Sequence, residues 1–292
     1  MPELPEVETI ARGLDKRVAG DVIESVWIGP KPEPLKSPAR EIARTLEGAR
    51  ISSVHRVGKH IVLELANGGK PKGAGKKQPK QTSTTQWIVH LGMTGRLVVA
   101  EPELETAKHT HLVAKLSSGR ELRFEDPRRF GRLSVRYEPA SDRATLDGGH
   151  AWAGGREPLE IGFKDFAQLF SGRRTPIKSA LLNQKLLRGV GNIYADESLF
   201  RAGVRPRRRA ARATGAELQK LHRGLQEVLN EAIAAGGSSV SDYVDADGDE
   251  GFFQLQHRVY GREGEPCLVC KSRVKRVVIA GRSSHYCPKC QK

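Results

Sequence analysis

The chain has 292 residues, with 49 Lys and Arg against 34 Asp and Glu, which gives a formal net charge of +15. This length allows two or three domains with a substantial core, and the positive excess favours nucleic acid over a membrane as partner. An apolar run of about 18 residues and a signal-peptide pattern are both absent, so we expect a soluble, cytoplasmic protein. All four cysteines lie in the stretch 267–290, which argues against a disulfide framework.

The N-terminal segment carries a candidate reactive group. An apolar stripe at helical spacing runs from Val7 to Val18, so we predict an amphipathic helix that fixes the terminus in space. Removal of Met1 would give Pro2 a secondary amine with a pKa of about 7.7–8.0, partly uncharged and nucleophilic. Its attack on a sugar aldehyde carbon yields an iminium cation, and Glu3 is suited to carry protons. The alternative interpretation is a solvated end without a chemical role.

The first half of the chain has the pattern of short strands separated by turns. Strands are predicted over 22–28, 51–57, 61–65, 87–91, 97–99, 111–116, 121–124 and 133–137, with a helical turn at 39–46. This spacing favours a sandwich or flattened barrel. Residues 67–86 contain five lysines but no acid and no large apolar residue, so we predict a disordered insertion between two strands.

Four positions in this half present side chains of functional interest. Lys59 opens a predicted strand, where a lysine is commonly just an exposed edge residue. Met93 lies in a tight loop between glycines, which pushes its side chain outward, although methionine is also a common core residue. Arg128 and Phe130 occupy the tip of the turn 126–131, which could equally be a solvated surface turn.

In the second half of the chain, the apolar residues recur at helical spacing. Residues 138–158 are rich in Gly, Asp and Pro and are predicted to form an interdomain linker. Helices are predicted over 163–170, 177–187, 193–202 and 216–235. The glycine-rich turn 189–192 opens the third helix and directs backbone N–H groups at a candidate phosphate site. An acid-free run of arginines over 201–212 strengthens this interpretation.

The C-terminal segment holds the most specific motif. Two Cys-x-x-Cys pairs, separated by sixteen residues, have zinc-ribbon spacing and consist of Cys267, Cys270, Cys287 and Cys290. Because the protein would fill all four positions of a tetrahedron, we predict one structural Zn²⁺ with no site for a catalytic water. Redox cysteines are the alternative. The intervening loop is basic, so the ribbon is expected to grip DNA.

Together these motifs resemble the bacterial formamidopyrimidine-DNA glycosylases. The resemblance is carried by residues 2–9, 90–95, 126–131, 189–195 and the cysteine ribbon, in that family's order. It implies an α+β multidomain fold: a β-sandwich with an N-terminal helix, a helix-two-turn-helix domain and a zinc finger. We expect a catalytic domain over 1–137, a linker over 138–158, a helix-two-turn-helix domain over 159–260 and a zinc finger over 261–292.

The family likeness also implies an activity and its residues. The expected enzyme is a monomer that excises oxidised purines, such as 8-oxoguanine and formamidopyrimidines, from double-stranded DNA at the bacterial nucleoid. It then nicks the abasic site by β,δ-elimination through a Schiff base on Pro2. Glu3 is the implied proton donor, Lys59 assists β-elimination and Arg282 assists δ-elimination. Implied DNA contacts are His109, Arg128, Arg174, Lys178 and Asn192, and the implied wedge that fills the gap in the base stack is Met93, Arg128 and Phe130.

Two other functions stay open at this stage. An endonuclease VIII-like glycosylase for oxidised pyrimidines would share Pro2, Glu3 and the zinc ribbon, but it typically has Gly at the position of Leu4. A non-enzymatic zinc-ribbon DNA-binding protein would be expected to lack Pro2, Glu3 or Lys59, and all three are present. The insertion at 67–86 is not part of the family pattern.

Overall fold

The computed structural model describes residues 1–66, 84–138, 151–239 and 251–292. The chain divides into two compact units. The first comprises Met1–Pro2, Glu6–Ala151 and Ser239–Gly251, and the second comprises Glu3–Pro5, Trp152–Ser238 and Phe252–Lys292. Most of the predicted insertion and most of the predicted linker lie outside the described residues. Among the helices of the described ranges, none is long and apolar enough to cross a bilayer.

The first unit contains, in its described part, two antiparallel four-stranded sheets. One has the order β1 (Ile23–Ile28), β6 (Thr110–Leu116), β7 (Glu121–Glu125) and β5 (Arg96–Ala100). The other has the order β2 (Arg50–Val57), β3 (His60–Ala66), β4 (Thr84–His90) and β8 (Arg132–Glu138). Helix α1 (Leu4–Val18) precedes both sheets, and α2 (Ala39–Leu46) lies between β1 and β2.

One apolar core joins these elements. The stripe of α1 is buried together with Trp87 and Phe124, which come from different sheets. Gly20 follows the helix with φ +96°, a left-handed conformation that ends it at low steric cost. The predicted helix and the predicted β-sandwich are therefore confirmed.

One boundary of the predicted insertion is wrong. Residues 84–86 belong to β4, where Thr85 pairs with Leu65 on one side and Tyr137 on the other. Gln86 is buried, and its Nε2 donates to Glu64 Oε1 at 2.8 Å. A buried polar pair between two strands leaves no hydrophobic pattern in the sequence, and this is why the strand was predicted to begin later.

The second unit contains four described α-helices and a hairpin. The helices are α3 (Phe163–Gln168), α4 (Ile177–Leu181), α5 (Asn192–Ala202) and α6 (Gly215–Ala234), and the hairpin consists of β9 (Lys275–Ile279) and β10 (Arg282–Tyr286). Apolar faces of α5 and α6 share one core. Within the predicted linker, the residues from Trp152 onward belong to the second unit, where Glu157 forms an ion pair with Arg188 at 3.3 Å.

The helix predicted over 177–187 is too long, because α4 ends at Leu181. Asn183 Oδ1 accepts from Lys185 N at 3.0 Å, and Gln184 Nε2 donates to Val190 O at 2.8 Å. Local side-chain bonds of this kind compete with the helical ladder. The apolar spacing that suggested a longer helix instead places Leu187 in the core.

Candidate active site and metal centre

The four cysteines converge at the C-terminal ribbon. Their Sγ atoms all lie within 4.8 Å of one another, and none forms a disulfide. Two belong to each knuckle, and Cys290 N donates to Cys287 Sγ at 3.4 Å. Four thiolate donors around one point fit tetrahedral Zn²⁺ and leave no open coordination position. The ribbon therefore holds one structural zinc ion.

Glu3 is held at the start of α5. Its carboxylate is only 5% exposed, and Oε1 accepts from Ile193 N at 3.2 Å. A Cβ at Gly191 would overlap that carboxylate, so the turn needs glycine there. Leu4 N donates to Gly189 O at 3.1 Å, which fixes the adjoining backbone. A backbone N–H group at the helix N-terminus thus holds a carboxyl group that belongs to the chain itself.

Lys178 lies within the second unit as half of a buried ion pair. Its Nζ is 2.6 Å from Asp196 Oδ1 and donates to Ser283 O at 2.6 Å. Asp196 Oδ2 in turn accepts from His285 N at 2.8 Å. Burial lowers the pKa of Lys178, while the Asp196 carboxylate opposes that shift. Two of the three ammonium N–H groups are therefore used inside the protein, and the side chain is completely buried.

Asn192 and Tyr260 form a second polar contact in this unit. Burial raises the pKa of Tyr260, while the Asn192 side chain beside its hydroxyl acts in the opposite direction. The charges of Glu3 and Asp196 also act on that hydroxyl. Asn192 and Tyr260 thus share a polar cluster with Glu3.

The strand ends of the first unit bring Lys59 close to two histidines. Lys59 is buried at the β2–β3 turn, and His60 pairs with His90 across β3 and β4, with ring centroids 4.9 Å apart. Burial, aided by the charges of His60, Arg132 and Lys59, lowers the pKa of His90 to about 3. The ring is therefore neutral near pH 7, and its Nδ1 accepts from Gly92 N at 3.1 Å.

Asp126 ties together the two loops that carry the predicted wedge. Its carboxylate is fully buried, with Oδ1 accepting from Thr94 Oγ1 at 2.6 Å and Oδ2 from Gly131 N at 2.7 Å. A Cβ at Gly92 would lie 2.6 Å from the Gly131 nitrogen, so the loops approach too closely for any other residue. The positions of the loops are fixed relative to one another within the first unit.

These loops present three exposed side chains. Met93 is 45% and Phe130 is 53% exposed, although both are large and apolar. The Arg128 guanidinium carbon lies 4.9 Å from the centroid of the Phe130 ring, a cation–π arrangement. Exposed apolar side chains on rigid loops are suited to insertion between stacked bases.

The other predicted DNA contacts lie on the surface of their own units. His109 is exposed just before β6, and Arg174 is exposed just before α4. Arg282 is exposed at the first position of β10. The preceding residues Ala280 and Gly281 have φ of 48° and 75°, which is typical of a tight two-residue hairpin turn.

Comparison with known proteins identifies the family. Family models match the formamidopyrimidine-DNA glycosylase N-terminal domain over residues 1–133, its H2TH domain over 155–244 and the zinc finger found in FPG and IleRS over 264–292. A formamidopyrimidine-DNA glycosylase from Solibacter usitatus is 45% identical over 100% of both chains. This chain belongs to the formamidopyrimidine-DNA glycosylase family.

Solved structures of the formamidopyrimidine-DNA glycosylases agree with the described fold. A Lactococcus lactis mutant in complex with Fapy-dG containing DNA has a TM-score of 0.85 at 31% identity, with 100% of each chain covered. The MutM (Fpg) protein of Thermus thermophilus has a TM-score of 0.81 at 40% identity, covering 99% of this chain and 98% of that one. The predicted α+β fold with its helix-two-turn-helix domain and zinc finger is confirmed.

Sequence reasoning missed the residues that hold the predicted formamidopyrimidine-DNA glycosylase site in place. Asp126, Asp196 and Tyr260 each contact a predicted residue or its loop. A signal was available for Asp196, because it and Glu197 form an acidic pair between the apolar stretches 193–195 and 199–200. Both acids are fully buried in the structure. Glu197 accepts from three consecutive backbone N–H groups, those of residues 258–260.

Proposed function

We propose that this chain excises oxidised purines from duplex DNA and then cleaves the backbone at the abasic site. Its family consists of base excision repair glycosylases that are also AP lyases. Related structures contain Fapy-dG DNA and abasic-site DNA. The observation that carries the proposal is the buried Glu3 carboxylate, fixed at the N-terminus of α5 and adjacent in the chain to Pro2.

The proposed reaction starts at the Pro2 amine once Met1 is removed. The nitrogen attacks the sugar C1′ and forms a C–N bond, while the glycosidic bond breaks and the base leaves with a proton from Glu3. The proline nitrogen loses its proton, the sugar ring oxygen gains one, and opening of the ring at C1′ then gives the iminium cation. Loss of a C2′ proton then expels the 3′ phosphate, assisted by Lys59, and a second elimination, assisted by Arg282, expels the 5′ phosphate.

In this proposal, one group of residues binds the DNA phosphates and the wedge residues fill the gap in the base stack. His109, Arg174 and Asn192 hold the backbone, together with Lys178. Eversion of the damaged nucleotide costs a few kcal/mol, which the exposed Met93 and Phe130 offset by filling the gap in the stack. Arg128 is suited to read the opposite base, because a guanidinium can satisfy the acceptors of cytosine.

The proposal also covers where the enzyme acts in the cell and how its chain is divided into domains. Because its substrate is DNA, we place the enzyme at the bacterial nucleoid in the cytoplasm, acting as a monomer. We keep the domain limits 1–137, 159–260 and 261–292 as proposals, with 138–158 as the linker.

Glu3→Gln tests the assignment of the proton donor. The variant should release 8-oxoguanine about 10²–10⁴-fold more slowly in single turnover, because the departing base loses its general acid. Cleavage of a preformed abasic site should persist, since no base has to leave. The matched control is Glu8→Gln, which removes a carboxylate of the adjoining helix α1 that pairs with Arg12 and Arg56.

Two outcomes would contradict the proposed function. One is base release by Glu3→Gln at the parental rate. The other is a clear preference of the parent for duplexes with an oxidised pyrimidine over duplexes with 8-oxoguanine, which would favour the endonuclease VIII-like alternative.

The wedge predicts separate effects at two positions. Arg128→Ala should lower discrimination for cytosine opposite the lesion by about 1–3 kcal/mol, the range for a good base-reading pair. Met93→Ala should slow eversion whatever the opposite base. Arg129→Ala is the control, because that neighbouring guanidinium pairs with Glu33 at 2.7 Å. Excision rates on all four opposite bases measure both effects, and identical profiles for the two variants would refute this division.

A further inference from the structure

The second unit contains an open cavity whose described lining is entirely basic. Its volume is about 580 Å³, and its lining consists of Arg205, Arg207, Arg208, Arg209, Arg212 and Lys292. The predicted lesion contacts Arg174, Lys178, Asn192 and Arg282 are not among these residues. The cavity is therefore a concentration of positive charge for which the proposed reaction has no use.

Backbone hydrogen bonds fix the segment that lines this cavity. The arginine-rich segment runs antiparallel to residues 173–178, with a bridge between Pro176 and Arg209. Ile177 N donates to Arg208 O at 2.7 Å, and Ala210 N donates to Thr175 O at 2.9 Å. The arginine backbones are thus fixed by the segment that leads into α4.

Three of the arginines are held by partners within the unit. Arg205 Nε donates to Gln291 O at 2.9 Å, and Arg207 Nη2 donates to Val278 O at 3.3 Å. Arg208 pairs with Glu217 at 2.8 Å. Carbonyl partners orient a guanidinium without neutralising it, so most of the positive charge of the cavity lining remains.

Arg209 and Arg212 differ from the other arginines. Both are exposed, and within the described ranges neither side chain makes a hydrogen bond or an ion pair. Their guanidinium forks are available to a ligand, and this geometry matches the oxygens of a phosphate group. A concave surface of one charge sign also concentrates the electrostatic potential.

We propose that this arginine-lined cavity binds backbone phosphates of duplex DNA outside the lesion-flanking contacts. The volume exceeds that of a single small ion many times over, since a water molecule occupies about 30 Å³, and so favours a stretch of backbone. The cavity is built by elements that also carry Arg174, Lys178 and Arg282. Because the cavity and these residues share the same elements, the favoured ligand is the flank of the duplex that carries the lesion. A second duplex is the other possible source of the phosphates.

The double variant Arg209→Gln/Arg212→Gln tests this inference, which rests on the proposed function only in that DNA is the ligand. Each lost phosphate contact should flatten the slope of log affinity against log salt by about 0.9 on undamaged duplex, or about 1.8 for both. Arg209→Lys/Arg212→Lys should retain most of the slope. The matched control Lys220→Gln/Arg223→Gln removes two exposed charges from α6 and should leave the slope near that of the parent.

Two further arms identify the source of the phosphates. If a flank of the bound duplex is the ligand, the difference between parent and double variant should vanish on a duplex of about 10 base pairs and return at about 30. If a second duplex is the ligand, the parent but not the variant should retain a labelled duplex on beads that carry a saturating first one. A salt slope of the double variant equal to that of the α6 control would overturn the inference.

Single-turnover excision keeps this test separate from that of the proposed function. The double variant should excise 8-oxoguanine at the parental rate when enzyme saturates the DNA. If Glu3→Gln releases base at the parental rate while the double variant has a flattened salt slope, the proposed chemistry is refuted and the cavity proposal stands. If Glu3→Gln slows base release but the salt slope is unchanged, the cavity proposal is refuted and the chemistry stands.

Discussion

Protein that begins at Pro2 should be trapped covalently on 8-oxoguanine duplex by borohydride, whereas protein that retains Met1 should not be trapped. The nitrogen of Pro2 behind Met1 belongs to an amide, whose lone pair is delocalised into the carbonyl group and is not nucleophilic. After removal of Met1 it is an amine with a pKa of about 7.7–8.0. We expect the two forms to differ in trapping yield by at least about 100-fold.

Intact-mass measurement before the reaction gives the fraction of chains that begin at Pro2, and the trapped fraction should follow it. Digestion of the adduct should locate the added mass on Pro2. Pro2→Gly serves as a comparison, because it keeps an N-terminal amine but makes it primary. An adduct on Lys59, or equal trapping of protein that retains Met1, would refute the assigned nucleophile.

The elements that could be predicted from the sequence are those whose own residues determine them. The stripe from Val7 to Val18 produces a helix wherever an apolar surface covers it, and the sandwich supplies that surface. The cysteine spacing likewise contains all four zinc ligands, so no partner elsewhere in the chain had to be guessed. Local pattern and final structure coincide in both cases.

The elements that could not be predicted depend on partners distant in sequence. Gln86 reads as part of a polar tract, and it is buried because Glu64 on the neighbouring strand accepts its hydrogen bond. From the sequence alone, Lys178 would be expected at the surface. In the structure, Asp196 and a carbonyl group of the ribbon hold it inside the second unit. Single-residue polarity cannot reveal such a pairing.

At the glycine turn 189–192 the structure places a different group from the one that the sequence suggested. The sequence indicated that N–H groups at the start of α5 would face a phosphate. In the structure the Glu3 carboxylate accepts from Ile193 N, and Gly191 leaves the space for it. Which anion occupies a helix N-terminus depends on what the rest of the chain brings there, and this could not be read from the turn.

Removal of zinc should abolish tight DNA binding before it abolishes chemistry. The small core of the ribbon contains Phe200, Val259 and Val274 besides the cysteines, too little apolar surface to fold without the metal. Strand β10 carries Arg282 and also supplies the Ser283 carbonyl to Lys178 and the His285 N–H group to Asp196. Loss of the ribbon therefore removes two hydrogen bonds from a buried ion pair, and hydrogen bonds to charged groups typically contribute about 1.5–3 kcal/mol each.

Cys267→Ser and Cys290→Ser should each bind less than one zinc ion per chain and lose about 100-fold or more in affinity for damaged duplex, since each 1.4 kcal/mol is tenfold. With enzyme in excess of the weakened binding constant, base release and β-elimination should persist, while δ-elimination should fall because Arg282 is displaced. Leu268→Ala is the matched control, since this side chain lies between two ligands, is 55% exposed and donates nothing to the metal. Metal content, affinity and single-turnover products are measured on the same preparations. A variant that has lost its zinc but binds damaged duplex as tightly as the Leu268→Ala control would show that the ribbon is not what holds the DNA.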